Sequence, residues 1–253
     1  MARTTAARRM TIRNFTHSIE TDGVDGKAET SVNTGITGSN AVSFGGWFKI
    51  MDTAPDSNRG IMFVNQLNVA SPGKGAFMLY RTNGGVLNKV TGGFIAADAG
   101  SVSGGKQEWA HIVCTYAGGT NGAVRSYVNG VLDPNTDTVT ANMTNGRVSV
   151  GDITSGSFTT IPGNIRFAEA FFYSRELSQS EIDDIYYDGK FATDSLWGRW
   201  LPTEGSGTTV ADVSGNGRNF TLSGGSSWST DAPLKARQAA SARQAASARQ
   251  AVT

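Results

Sequence analysis

The sequence predicts an all-β chain: a two-sheet antiparallel β-sandwich with one short helix and extended basic arms at its N- and C-termini. Three observations lead there. Short stretches of alternating apolar and polar residues recur between turns rich in the chain's 32 glycines, only one segment carries the start and stop signals of a helix, and both ends carry arginine without acid. At 253 residues with 38% hydrophobics, the chain can bury one sizeable core or two small ones. Its single cysteine, Cys114, leaves no intramolecular disulfide to form, and no apolar run reaches the roughly 18 residues of a membrane-spanning helix, so no membrane insertion is expected.

The N-terminal arm, residues 1–17, carries Arg3, Arg8, Arg9 and Arg13. Met1 to Met10 has arginines and threonines with no apolar stretch behind them, so the expectation is synthesis in the cytoplasm without a secretory leader. The sandwich itself is expected over residues 18–233. Val42, Phe44, Phe48 and Ile50 alternate with Ser43, Gly45, Trp47 and Lys49, the period of a strand. Further strands are predicted at Ile61 to Leu67, Ala76 to Tyr80, Val90 to Ile95, Trp109 to Tyr116, Ala123 to Leu132, Val148 to Val150 and Gly163 to Tyr173. Asn129-Gly130 tolerates the positive φ angles of a tight hairpin turn within the fifth of these. Ser178-Gln-Ser-Glu181 forms a capping box, Ile182, Ile185 and Tyr186 follow at helical spacing, and Gly189 stands where a left-handed cap is wanted. That predicts a helix of about two and a half turns on the sandwich rim.

The last segment, residues 234–253, repeats Ala-Arg-Gln-Ala-Ala-Ser and contains Lys235, Arg237, Arg243 and Arg249. Without large apolar side chains it has no face of its own to bury, although alanine, arginine and glutamine all favour helix, so order is expected only on a partner. The two arms hold eight of the 22 basic residues and none of the 21 acids, which leaves 14 bases and 21 acids, formally −7, between them.

Trp109-Ala-His-Ile-Val-Cys-Thr-Tyr116, Ser126-Tyr-Val-Asn-Gly-Val-Leu132, Gly163 to Tyr173 and the Leu177-Ser178 to Glu181-Ile182 box together resemble the laminin G-like, concanavalin A-like jelly-roll domains. Trp200 to Gly217, closing on Trp228, is similar to a stretch that often opens such domains, as though the order had been rotated; in a sandwich the two chain ends can lie on neighbouring strands. The resemblance covers roughly residues 18–233. It implies two stacked antiparallel sheets and, for function, anything from carbohydrate or protein binding to a passive surface module or a glycosidase.

Each chemical candidate has a plainer structural reading beside it. Glu181-Ile-Asp183 resembles the start of the laminarinase-type glucanase motif, but Tyr186 stands where its second glutamate would fall, and a retaining glycosidase needs paired carboxyls about 5 to 5.5 Å apart. The capping box favours a surface helix instead. Of the two histidines, His17 and His111, the second alternates with Trp109 and Val113 and reads as structural. Cys114 shares the parity of Ile112 and Tyr116 and reads as a small buried hydrophobe. No zinc spacing occurs. Asp22 with Asp25, and Asp212 with Asn216, are candidate calcium ligands on turns, and are equally ordinary turn formers; no other cofactor is expected. Gly45-Gly46, Gly84-Gly85, Gly104-Gly105 and Gly224-Gly225 lack a phosphate-loop spacing and are read as turns. Trp197, Trp200 and Trp228 are the candidate glycan-stacking rings, with core packing the commoner fate of sandwich aromatics.

The leading expectation is a non-catalytic structural or decorating subunit of a large homomeric assembly, a virion surface protein above all. Its arms would contact neighbouring copies or other virion proteins, and its sandwich would offer glycan binding. A carbohydrate-binding adhesin or lectin is the alternative, and a glycoside hydrolase the third class. A nucleic-acid tether is disfavoured, because a −7 body would repel the phosphates that the arms attract.

Overall fold

The computed structural model describes residues 15–51, 58–64, 76–83, 86–94, 97–102, 108–152 and 162–233. The eight arm cations, Arg3, Arg8, Arg9, Arg13, Lys235, Arg237, Arg243 and Arg249, lie outside them, as do Gly84-Gly85, Gly104-Gly105, Ile95 and the predicted strand end at residues 65–67.

In chain order the strands are β1 (Ser18–Glu20), β2 (Lys27–Thr30), β3 (Val42–Ile50), β4 (Asn58–Val64), β5 (Ala76–Asn83), β6 (Val86–Phe94), β7 (Ala97–Val102), β8 (Trp109–Tyr116), β9 (Gly122–Val128), β10 (Val131–Leu132), β11 (Asp137–Val139), β12 (Val148–Val150) and β13 (Ile165–Tyr173). After helix α1 (Gln179–Asp183) come β14 (Leu196–Trp200), β15 (Thr209–Val210), β16 (Phe220–Ser223) and β17 (Ser227–Ser229). They form two antiparallel sheets. Sheet A runs β10-β9-β8-β3-β13-β1-β17, with β11 also on β9 and β14 also on β13; sheet B runs β15-β16-β2-β12-β4-β5-β6-β7.

The predicted two-sheet sandwich is therefore the observed one, and alternation explains its centre. Phe44, Phe48, Ile112, Cys114, Phe167 and Phe172 of sheet A pack with Ala28, Met62, Val148, Val150, Phe220 and Leu222 of sheet B in one continuous core. Asn129 (φ 51°) and Gly130 (φ 81°) supply the paired positive φ angles of the expected hairpin between β9 and β10. The first and last described strands are neighbours, as the rotated order implied: β17 pairs with β1, and β16 with β2.

Two expectations are corrected. Gly45-Gly46 is no turn; it lies inside β3, and a Cβ on Gly46 would stand 1.9 Å from the Glu169 carbonyl oxygen. Glycine is needed there for the close approach of two strands, at a bulge in the β3–β13 register between Phe167 and Glu169. The helix, too, is α only in its first turn. Ser178 and Glu181 form both bonds of the capping box, after which Asp184–Asp188 widen into a π turn that ends on left-handed Gly189 (φ 67°). Ile182 and Ile185 stay buried, and Tyr186 lies stacked on Trp47 at 5.8 Å and 24° between planes.

That helix explains why sheet A is apolar on both faces. Val113, Tyr127, Phe171 and Tyr173 point away from the sandwich centre and pack under Leu177, Ile182 and Ile185. Farther along the same face, Trp47, Trp109 and Ala168 pack with Phe15 and Ala232, residues from the two ends of the described chain. Glu169 is fully buried on this face, where the Arg199 guanidinium donates two hydrogen bonds to it (2.9 and 2.8 Å) while lying 4.0 Å over the Phe191 ring.

Candidate functional site

The outer face of sheet A holds residues from both ends of the described chain, Phe15 and Ala232. Ser18 Oγ donates to the Asp231 carbonyl at 2.6 Å. The Asp231 carboxylate accepts from Lys49 Nζ and Arg166 Nη1, both at 2.6 Å, and from Trp109 Nε1 at 3.3 Å, while Arg166 also pairs with Glu20 at 2.6 Å. Burial opposes ionisation of Asp231, but the hydrogen bonds from Lys49, Trp109 and Arg166 outweigh it and hold the carboxyl below its ordinary range. This clasp ties the last described strand to the first.

The three candidate tryptophans separate cleanly. Trp200 is wholly buried, stacked on Phe220 at 3.9 Å and 17°, with its Nε1 donating to the Arg218 carbonyl at 2.7 Å. Trp197 is 7% exposed, packed on Phe172, and covered by the Arg218 guanidinium 4.4 Å from its ring. Neither offers a ring face to a sugar, because β14 pairs with β13 and carries both side chains into the core. Trp228 differs. It is half-buried on edge strand β17, its Nε1 donates to the Gly207 carbonyl at 2.7 Å, and His17 meets it edge-on at 6.1 Å and 86°. Gly205 closes this corner, since a Cβ there would stand 3.0 Å from His17 Nε2.

The candidate calcium ligands are engaged in holding turns. Asp22 Oδ1 accepts the backbone N–H groups of Val24, Asp25 and Gly26, and Asp25 Oδ1 accepts that of Gly225. Asp212 accepts from the Arg199, Ser214 and Arg218 amides, while the Asn216 amide donates to the Leu196 carbonyl. Burial raises the pKa of both Asp22 and Asp212, yet the backbone N–H donors, joined at Asp212 by the Ser214 side chain, prevail and leave each carboxyl below its usual range. Among the described residues no group of three or more His, Cys, Asp or Glu side chains converges as a metal site, and no helix is long and apolar enough to cross a membrane.

The glycosidase-like motif resolves into capping. Glu181 takes a bidentate contact from Arg175 (2.6 and 3.0 Å) and accepts the Ser178 N–H at 2.9 Å. The Arg175 hydrogen bonds are the main cause of a pKa lowered to about 2. A carboxyl held so low has no proton to donate at neutral pH. His111 and Cys114 are likewise placed inside the fold. His111 is fully buried among Trp47, Phe171 and Tyr186. Burial pushes the Cys114 thiol up to about 12, against a smaller opposing effect of the Ser126 hydroxyl.

Hollows lined by polar side chains open on the surface of the described residues. One, of about 360 Å³, lies beside α1 between Arg125, Tyr127, Glu176, Ser178, Gln179 and Glu181. Another, of about 260 Å³, lies on the outer face of sheet B between Lys27, Glu29, Ser31, Arg147, Thr221 and Ser223. Sequence reasoning missed the second. Lys27 and Glu29 alternate with inward Ala28, but over so short a run the alternation is no strand signal, and nothing local indicates that Thr221 and Ser223 are their cross-strand partners.

A profile of the concanavalin A-like lectin/glucanases superfamily matches residues 22–183. No curated protein sequence matches the chain. Among solved structures, a candidate carbohydrate-binding protein from Bacteroides ovatus is similar at 12% identity and a TM-score of 0.60, over 86% of this chain and 61% of that one. This chain thus spans about three fifths of the Bacteroides protein. The native heptameric SAP-like pentraxin from Limulus polyphemus is similar at 12% identity and a TM-score of 0.53, over 88% of this chain and 99% of that one. At these identities the likeness is one of fold. Strands β14 to β17 follow the matched segment and complete both of its sheets.

Proposed function

The chain belongs to the concanavalin A-like lectin/glucanase superfamily, and from that premise we propose that it is a non-catalytic, glycan-contacting subunit of a larger homomeric particle, a virion surface protein in the first instance, held to its neighbours by its two basic arms. The observation that carries this reading is the joining of the first and last described segments. Ser18 bonds Asp231, and Phe15 packs with Ala232 on Trp47 and Trp109. Phe15 and Ala232, near the two ends of the described residues, therefore lie together on one face of sheet A, and the sequence before and after them carries eight cations against a body that is formally −7. Opposite charge on another copy is the simplest partner for them. The heptameric Limulus pentraxin is a case of such a sandwich serving as a repeated subunit.

Particle size tests it. Removing residues 1–14 and 234–253 should abolish large assemblies seen by light scattering or electron microscopy while far-ultraviolet circular dichroism stays that of a folded sandwich. Particles of unchanged size would end the assembly reading.

A lectin acting on its own is the second reading, and Trp228 with His17 at the sandwich edge favours it. A glycan array with the full chain should then show binding that Trp228→Ala removes and Trp197 substitution affects only through folding.

A further inference from the structure

The hollow on the outer face of sheet B lies on the opposite side of the sandwich from Phe15 and Ala232. Ala28, Phe220 and Leu222 point into the core, so Lys27 and Glu29 of β2 and Thr221 and Ser223 of β16 necessarily point the other way. They form two cross-strand pairs, Lys27 opposite Ser223 and Glu29 opposite Thr221. Arg147, entering β12 beside them, donates Nη1 to Glu29 at 2.9 Å, and Lys27 Nζ stands 4.0 Å from the same carboxylate. Among the described residues that line the hollow, two cations thus face one acid, a local excess of positive charge on an otherwise acidic body. The hollow beside α1 lacks this excess, because Arg125 pairs with Glu176 and Arg175 with Glu181.

We propose that this hollow binds an acidic sugar, a single carboxylate-bearing ring such as a uronate at the end of a glycan. A guanidinium has five N–H donors in a planar fork, and only Nη1 of Arg147 faces Glu29. The remaining edge meets a carboxylate with two parallel bonds. The Arg147 side chain is 50% exposed, so the fork is open to solvent. The exposed hydroxyls of Ser31, Thr221 and Ser223 both donate and accept, which matches the ring hydroxyls of a sugar. A volume of about 260 Å³ falls just below the roughly 300–1,000 Å³ of pockets that hold drug-sized ligands, and so suits one ring rather than a chain. This inference rests on the glycan-contacting reading above and names the ligand class and its place.

The test is calorimetric titration of the full chain, its eight arm cations replaced by glutamine so that they contribute no attraction. The probes are a glucuronate-terminated disaccharide and the glucose-terminated disaccharide of the same linkage. Preference for the acid is expected, weakened by added salt because the hollow is open to water, and reduced about tenfold or more by Arg147→Gln. Lys27→Gln should reduce it as well, and Trp228→Ala should leave it unchanged. Equal binding of the two disaccharides, no binding of the acid, or acid binding indifferent to both Arg147→Gln and Lys27→Gln would each overturn the proposal. Neutral-glycan binding that depends on Trp228 alone would overturn it too, while leaving the broader glycan reading in place.

Discussion

Ser18 and Asp231, 213 residues apart, are joined by a 2.6 Å hydrogen bond from the serine hydroxyl to the aspartate carbonyl. Through it the carboxylate of Asp231 is set between Lys49 and Arg166, side chains that are 16% and 19% exposed. Asp231→Ala should therefore cost about 1–3 kcal/mol in denaturant unfolding. Because the folded-state pKa is lowered, the stabilisation is fully present above the ordinary aspartate range and is lost as pH falls through the folded value. The wild-type chain should lose stability in acid, and the variant should lose less of it over the same window.

Glu181 is predicted to matter for stability and not for catalysis. With its pKa at about 2 against an ordinary value of 4.5, its contribution is complete above 4.5 and disappears as pH falls towards 2. Ser178→Ala should cost about 1 kcal/mol through loss of the helix cap. Glu181→Gln should flatten the acid limb of the stability curve measured by urea titration between pH 5 and pH 2, without changing glycan binding. An unaltered acid limb would contradict the Arg175–Glu181 geometry.

Trp200→Ala and Trp228→Ala should fail in different ways. The first removes a wholly buried ring stacked on Phe220 and is expected to cost about 3–5 kcal/mol. The second truncates a half-buried edge residue and should leave the chain folded, so thermal melts separate the two before any binding assay is run.

Gly46→Ala places a methyl 1.9 Å from the Glu169 carbonyl. Backbone on both sides has to move, and the expected penalty is at least about 1–3 kcal/mol. Gly207→Ala is the control for chain entropy, since Gly207 has nothing within 4 Å of the same position and carries only the strain of φ 85°.

Cys114, 1% exposed and with its thiol pushed up to about 12, should resist an aromatic disulfide reagent at pH 8 in the native protein and react at the ordinary rate in denaturant. Rapid native reaction would mean that the sandwich opens far more readily than its packing implies.

Local chemistry alone was enough for β3, β8 and β13, the Asn129-Gly130 hairpin, the Ser178 to Glu181 cap and the Gly189 stop. Each is encoded in a few neighbouring residues whose spacing or φ preference has one good solution, and the likeness of the whole set to one family supplied the sandwich. The short strands β1, β2 and β14 to β17 left no comparable trace, because over two to five residues alternation is indistinguishable from a turn. For the same reason the sequence did not separate Trp197 and Trp200, in the core where sandwich aromatics are commonest, from Trp228 at the edge.

The sequence by itself determined the two-sheet class, the segregation of charge into arms and body, and the helix cap, since periodicity, composition and capping act within a few residues. Only the tertiary structure decided that sheet A is buried on both faces, that Gly45 and Gly46 belong to a strand, that the chain ends meet at Ser18 and Asp231, and that Lys27, Glu29, Arg147, Thr221 and Ser223 share one hollow. The reason is physical: those relationships depend on strand register between segments up to 213 residues apart, and register is set by the packing of the entire core.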